Sequence, residues 1–153
     1  MAMRPNARHQ IEDHSMLNAA LLLRIASVVS LFFAAGHTLG GLKSSWSPIG
    51  ETDVLATMRT FRFDVEGVNR SYLEFYRGFG FLLTVYLVLQ AVLLWQLAGL
   101  AKANPNQAQV FVWTFFVASI AIGVLTWKFL FPIPVYFDAV VTVCLGLALI
   151  ANR

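Results

Sequence analysis

Four long apolar stretches, each near the length a helix needs to cross a lipid bilayer, restrict what this chain can fold into. The hydrocarbon core offers no water to exposed N–H and C=O groups, so a chain that crosses it does so as helices or as a closed barrel. Here the apolar residues come in long blocks and not in the short alternating runs of barrel strands, which selects helices. Composition agrees: 58% of the 153 residues are hydrophobic and 12% are charged, more apolar surface than a water-soluble domain of this size can bury. The chain is therefore expected to be all-α, a single membrane domain with four transmembrane helices in an up-down antiparallel bundle.

The first block covers residues 17–42 and is broken only by Arg24, whose stem can snorkel towards the headgroups. The polar start, 1–16, carries acidic residues together with His9 and His14, and no small-x-small pattern closes the block, so a retained helix is expected and not a removed signal. The second block, 71–101, opens on Ser71-Tyr72-Leu73-Glu74, the S-x-x-E pattern of a capping box. The third, 105–128, follows Asn104-Pro105, a capping side chain and a proline suited to the first helical turn. The fourth, 134–151, starts after Pro132-Ile133-Pro134 and spans about 27 Å at the helical rise, just enough to cross.

The connection 43–70 is the only sizeable loop between the apolar blocks and is expected to form a structured cap. Thr52-Asp53 can cap a short helix with Val54, Leu55, Met58 and Phe61 on one face, lying on the membrane. Phe61, Phe63 and Val65 then alternate with Arg62, Asp64 and Glu66, as in an extended strip with one face against the bundle. Four crossings place both termini on one side. The Lys/Arg counts are nearly tied, Arg4, Arg8, Arg24, Lys102 and Arg153 against Lys43, Arg59, Arg62, Arg70, Arg77 and Lys128. The acidic residues of the long loop balance its bases, which leans towards cytoplasmic termini in an inner (plasma) membrane.

Several chemistries are excluded. Cys144 is the one cysteine, so neither an internal disulfide nor a Cys-x-x-Cys thiol pair of the vitamin-K-reductase kind can form. A net charge of +3 without a Lys/Arg run does not fit a nucleic-acid partner. His37 is the one histidine inside a span, so a single hydrogen bond between helices is expected of it before metal or haem ligation. Neither a metal nor a particular cofactor is indicated.

Polar residues gather at the helix ends that face the long loop: His37 and Thr38, then Glu74, Tyr76 and Arg77, then Trp127-Lys128, then Tyr136 and Asp138. The opposite ends carry mainly Arg24, Gln90 and Gln96. An ionisable group facing lipid is costly, so His37, Arg77 and Asp138 are expected to face one another, a wet cavity or the headgroups. Glu74 and Arg77 are close enough on one helix face to pair, though capping alone accounts for Glu74. Asp138 is expected within the first turn of its helix, where the dipole favours an anion. Gly36 and Gly40 make a Gly-x-x-x-Gly step that permits close helix approach. The tryptophans Trp46, Trp95, Trp113 and Trp127 are expected to form interfacial belts.

Through Gly36-His37-Thr38-Leu39-Gly40 and Tyr72-Leu73-Glu74-Phe75-Tyr76-Arg77-Gly78-Phe79-Gly80 the chain resembles a family of uncharacterised small four-helix bacterial membrane proteins. In size and helix count it is also similar in architecture to the DoxX-like proteins. Neither resemblance implies a reaction. The leading expectation is a pocket for a membrane lipid or small lipophilic molecule, with His37, Glu74, Tyr76, Arg77 and Asp138 as its polar floor, Arg77 gripping an anionic or carbonyl oxygen. The rival is a non-enzymatic assembly subunit, a homo-oligomer among its forms, joined through the glycine face of the first helix. A transporter ranks last, because four helices without a repeat would have to oligomerise to make a path.

Overall fold

The computed structural model describes residues 7–41 and 51–151, with side chains for 18–40 and 53–151. Arg4, Lys43, Trp46 and Arg153, and the side chains of Arg8, His9, His14 and Thr52, lie outside the described residues. The elements in chain order are α1 (Ala7–Gly36), a π-helical turn (His37–Gly41), α2 (Glu51–Thr60), β1 (Arg62–Val65), β2 (Val68–Ser71), α3 (Tyr72–Ala103), α4 (Pro105–Phe129) and α5 (Pro132–Ala151). Four segments are long and apolar enough to cross a membrane: Asn18–Gly40, Tyr72–Ala103, Pro105–Phe129 and Pro132–Ala151.

Local chemistry explains most boundaries. Between Pro5 and Gly36 the chain has neither proline nor glycine, so α1 begins at Ala7, upstream of the expected apolar start near 17. The capping box of α3 forms in both directions: the Glu74 N–H donates to Ser71 Oγ at 3.2 Å, and the Ser71 N–H donates to Glu74 Oε2 at 2.7 Å. Replacing Ser71 with alanine should cost about 1 kcal/mol and fray the first turn of α3, read as faster amide exchange at residues 73–75. At α4, Asn104 Oδ1 accepts from the Gln107 N–H at 3.2 Å and Pro105 takes the first turn. The fourth helix starts at Pro132 and not after Pro134, because a proline tolerates the first turn, where its missing donor costs nothing.

The chain folds as two compact units, one up to Phe33 and from Val88 onward, the other Ala34–Leu87. In the first, one cluster joins α1 (Ala19, Ala20, Leu23, Ala26), α3 (Leu94, Leu97, Ala98, Ala101), α4 (Ala108, Val112) and α5 (Val141, Cys144, Leu145, Ala148, Leu149). Its many alanines let helices approach closely, which is how packing is gained where lipid removes the hydrophobic drive between helices. Polar ties add to it: Ser27 Oγ donates to the Ala91 carbonyl at 2.6 Å, and Gln90 Nε2 donates to Ser30 Oγ at 3.0 Å. Arg24 rests over the Trp95 ring at 5.1 Å, and Phe33 stacks on Phe137 at 5.1 Å. The side chains facing outward are chiefly apolar. Only 17–39% of each candidate span's apolar window is buried within the protein.

The second unit contains the connection. Its extended strip is half of a hairpin, in which β1 pairs antiparallel with β2 from Arg62↔Ser71 to Val65↔Val68. The two-residue turn holds Glu66 at φ 54 and Gly67 at φ 78, the left-handed pair that a tight hairpin demands, and the Gly67 N–H donates to Asp64 Oδ1 at 3.1 Å. Phe61 and Phe63 lean on Tyr72, Phe63 meets Phe75, and Phe75 meets Phe79, with centroids 4.8–5.6 Å apart. Phe63 is the half-buried member of the strip, whereas Phe61 and Val65 are each 56% exposed. Asp53 lies within the first turns of α2, whose start at Glu51 precedes the expected Thr52-Asp53 cap.

Candidate functional site

The polar centre of the first unit is built on α4 and α5. Asp138 and Thr142, four residues apart, share a face of α5; Ser119, Gly123 and Trp127, at the same spacing, share a face of α4. Thr142 and Ser119 join their hydroxyls, and Ser119 Oγ donates to Asp138 Oδ1 at 3.1 Å. The other carboxylate oxygen, Oδ2, is directed at Gly123, where a Cβ would come within 2.6 Å of it. The absence of a side chain at Gly123 therefore makes room for the carboxylate. Gly146 serves the same helix pair, since a Cβ there would lie 3.2 Å from the ring of Phe116.

Asp138 is half-buried and has no ion-pair partner among the described residues. It lies six residues after Pro132, about 9 Å along the axis, so it is not in the first turn of α5 as expected. The dipole's favour for an anion has faded at that distance. Beside the carboxylate, α4 and α5 leave an open groove of about 440 Å³ lined by Asp138, Thr142, Gly123 and Trp127, with Ile120, Val124, Val135, Ala139 and Val143 supplying apolar walls.

Of the residues expected to form one polar floor, Asp138 belongs to this unit, and His37, Glu74, Tyr76 and Arg77 belong to the other. No family model, curated protein or solved structure matches the chain. Within the second unit, the His37 Nε2–H donates to the Gly80 carbonyl at 3.1 Å. Next to it the Thr38 and Thr84 hydroxyls meet at 2.9 Å, with the Ala34 and Gly80 carbonyls as further acceptors at 2.8 and 3.2 Å. The His37–Gly80 bond runs from the turn after α1 to α3. It falls on the π-helical turn, whose wider winding reorients the side chains that follow Gly36.

Glu74 does not pair with Arg77. Its carboxylate is drawn back to the Ser71 N–H and lies 3.7 Å from Arg62 of the hairpin, both groups half exposed, so the ion pair itself contributes little. Arg62 is further held by Asn69 across the hairpin. Arg77 is half-buried and has no ion-pair or hydrogen-bond partner among the described residues, and Tyr76 is 54% exposed. Among the described residues no three His, Cys, Asp or Glu side chains gather as metal ligands do. A carboxylate with two hydroxyls can hold a cation, accept hydrogen bonds or exchange a proton.

Ser119, Gly123 and Thr142 were not among the expected site residues. The signal for them is present in the sequence: a short polar residue in the middle of each of the last two apolar blocks, with Gly123 four residues after Ser119 and Thr142 four after Asp138.

Proposed function

We propose that this is a multi-pass membrane protein whose α4–α5 groove binds a small lipophilic molecule, with Asp138 as the polar anchor. The observation that carries this reading is a half-buried carboxylate without an ion-pair partner among the described residues, opening on an apolar groove of about 440 Å³. An ionisable group at such a place in an apolar helix is costly to keep, and ligand recognition gives it a reason. Glu74 and His37 have structural employment in the helix cap and the interhelical bond, so they hold the frame. Arg77 belongs to the other unit and has no ion-pair or hydrogen-bond partner among the described residues, which suits it to contact an anionic headgroup oxygen independently of the groove.

The four helices are proposed to cross the inner membrane in alternating directions, with both termini cytoplasmic, as the charge pattern favours. Membership in the small four-helix family carried by the two motifs remains part of this proposal. Extraction of the full chain in mild detergent, followed by mass spectrometry of the solvent-released fraction, tests the binding. One molecular species should accompany the native protein near one per chain and be depleted at least tenfold in Gly123→Val. Equal small-molecule content in both would refute it.

A second reading has its own observation. Among the described residues a Cβ added at Gly36 or Gly40 would meet nothing within 4 Å, which leaves room at this small surface for another copy of the chain. Association through it predicts that Gly36→Leu lowers the copy number measured by native mass spectrometry. An unchanged copy number removes that reading.

A further inference from the structure

The groove beside Asp138 also narrows the class of molecule that fits it, an inference that rests on the binding reading above. Three features of the lining decide charge. Asp138 is the one ionisable side chain among the residues that line it. Lys128, next to the lining residue Trp127, does not belong to that lining and holds its ammonium 5.2 Å from the centroid of the Phe129 ring. Oδ1 already accepts from Ser119, while Oδ2, facing Gly123, has no donor among the described residues.

A neutral alcohol could donate one hydrogen bond to Oδ2 but would leave the carboxylate's charge uncompensated in an apolar wall. An anionic head would add repulsion. A positive charge answers both needs, and a protonated amine also brings the missing donor. Trp127 reinforces the same sign: it lies one turn beyond Gly123 on the same helix face, and the electron-rich face of an indole attracts cations. Ile120, Val124, Val135 and Val143 offer the apolar surface that a hydrocarbon tail needs.

We infer that the α4–α5 groove is a site for lipophilic cations, a primary or substituted ammonium on an apolar body, held by Asp138 Oδ2 and the face of Trp127.

The test uses the full chain in nanodiscs of zwitterionic phosphatidylcholine, with empty nanodiscs as background. Saturable binding is compared for n-decylammonium, n-decanol and n-decanoate, which share a tail and differ in head charge. Decylammonium should bind at least tenfold more tightly than the other two. Asp138→Asn should bring it to the decanol level, and Trp127→Leu should weaken it several-fold, with both variants monodisperse. If decanol or decanoate binds as tightly as decylammonium and Gly123→Val abolishes that binding, the groove stands and the cationic class falls. If none of the three binds saturably, or if decylammonium binding is the same in the native chain, Asp138→Asn and Gly123→Val, both the class and the groove reading are overturned.

Discussion

Asparagine at position 138 should abolish ligand retention without lowering the protein's thermal stability. A carboxylate half-buried among apolar side chains loses part of its hydration, and this one has no cation among the described residues to repay it. Asparagine keeps an oxygen for the Ser119 hydroxyl, which now bonds to Asp138 Oδ1 at 3.1 Å, and removes the charge. Leucine should be tolerated as well, because Ser119 and Thr142 still satisfy each other. A purely structural Asp138 makes the opposite forecast, a clear loss of stability in both variants. Melting curves in detergent, recorded beside the small-molecule content of the same samples, separate the two: stability held and ligand lost is the signature of a residue kept for function.

Valine at position 123 should fail in a different way. A Cβ there would stand 2.6 Å from Asp138 Oδ2, closer than any real contact allows, so either the carboxylate rotates away or α4 and α5 separate. Overpacking of this kind costs about 1–3 kcal/mol. The variant should therefore lose both ligand and stability, and the double variant Gly123→Val with Asp138→Ala should recover part of the stability, because the shortened side chain removes the clash. Additive losses in the double variant would show that the two residues do not meet as described.

Much of the helical framework was legible because the rules that set it are local. Ser71 and Glu74 announce the start of α3 by spacing alone, and Asn104-Pro105 does the same for α4. The hairpin escaped because Phe61, Phe63 and Val65 read as a lone alternating strip, whereas its turn is carried by Glu66-Gly67, and Glu66 is not a residue that favours the left-handed conformation it adopts. Asp138 was visible as an acid in an apolar block, but its partners were not. Ser119 lies in another helix, and only the packing of α4 on α5 through Gly123 and Gly146 brings the two together. The Gly-x-x-x-Gly step at the end of α1 was the more conspicuous pattern, yet among the described residues a Cβ on either of its glycines would meet nothing within 4 Å, while one on Gly123 of α4 or Gly146 of α5 would meet a side chain of the facing helix. Spacing within one helix shows which residues share a face, and it does not show which face another helix will cover.

The central claim, that the Asp138 carboxyl opens on an apolar groove, is tested most directly by reaction with two carbodiimides of opposite solubility. Membranes containing the native protein are treated with a lipophilic dicyclohexyl carbodiimide or with a water-soluble one that does not enter the hydrocarbon core, and the peptide containing Asp138 is analysed by mass spectrometry. The lipophilic reagent should add to Asp138, the soluble one should not, and Gly123→Val should slow the lipophilic addition. An Asp138 that resists the lipophilic reagent, or that reacts equally with both, would contradict the account.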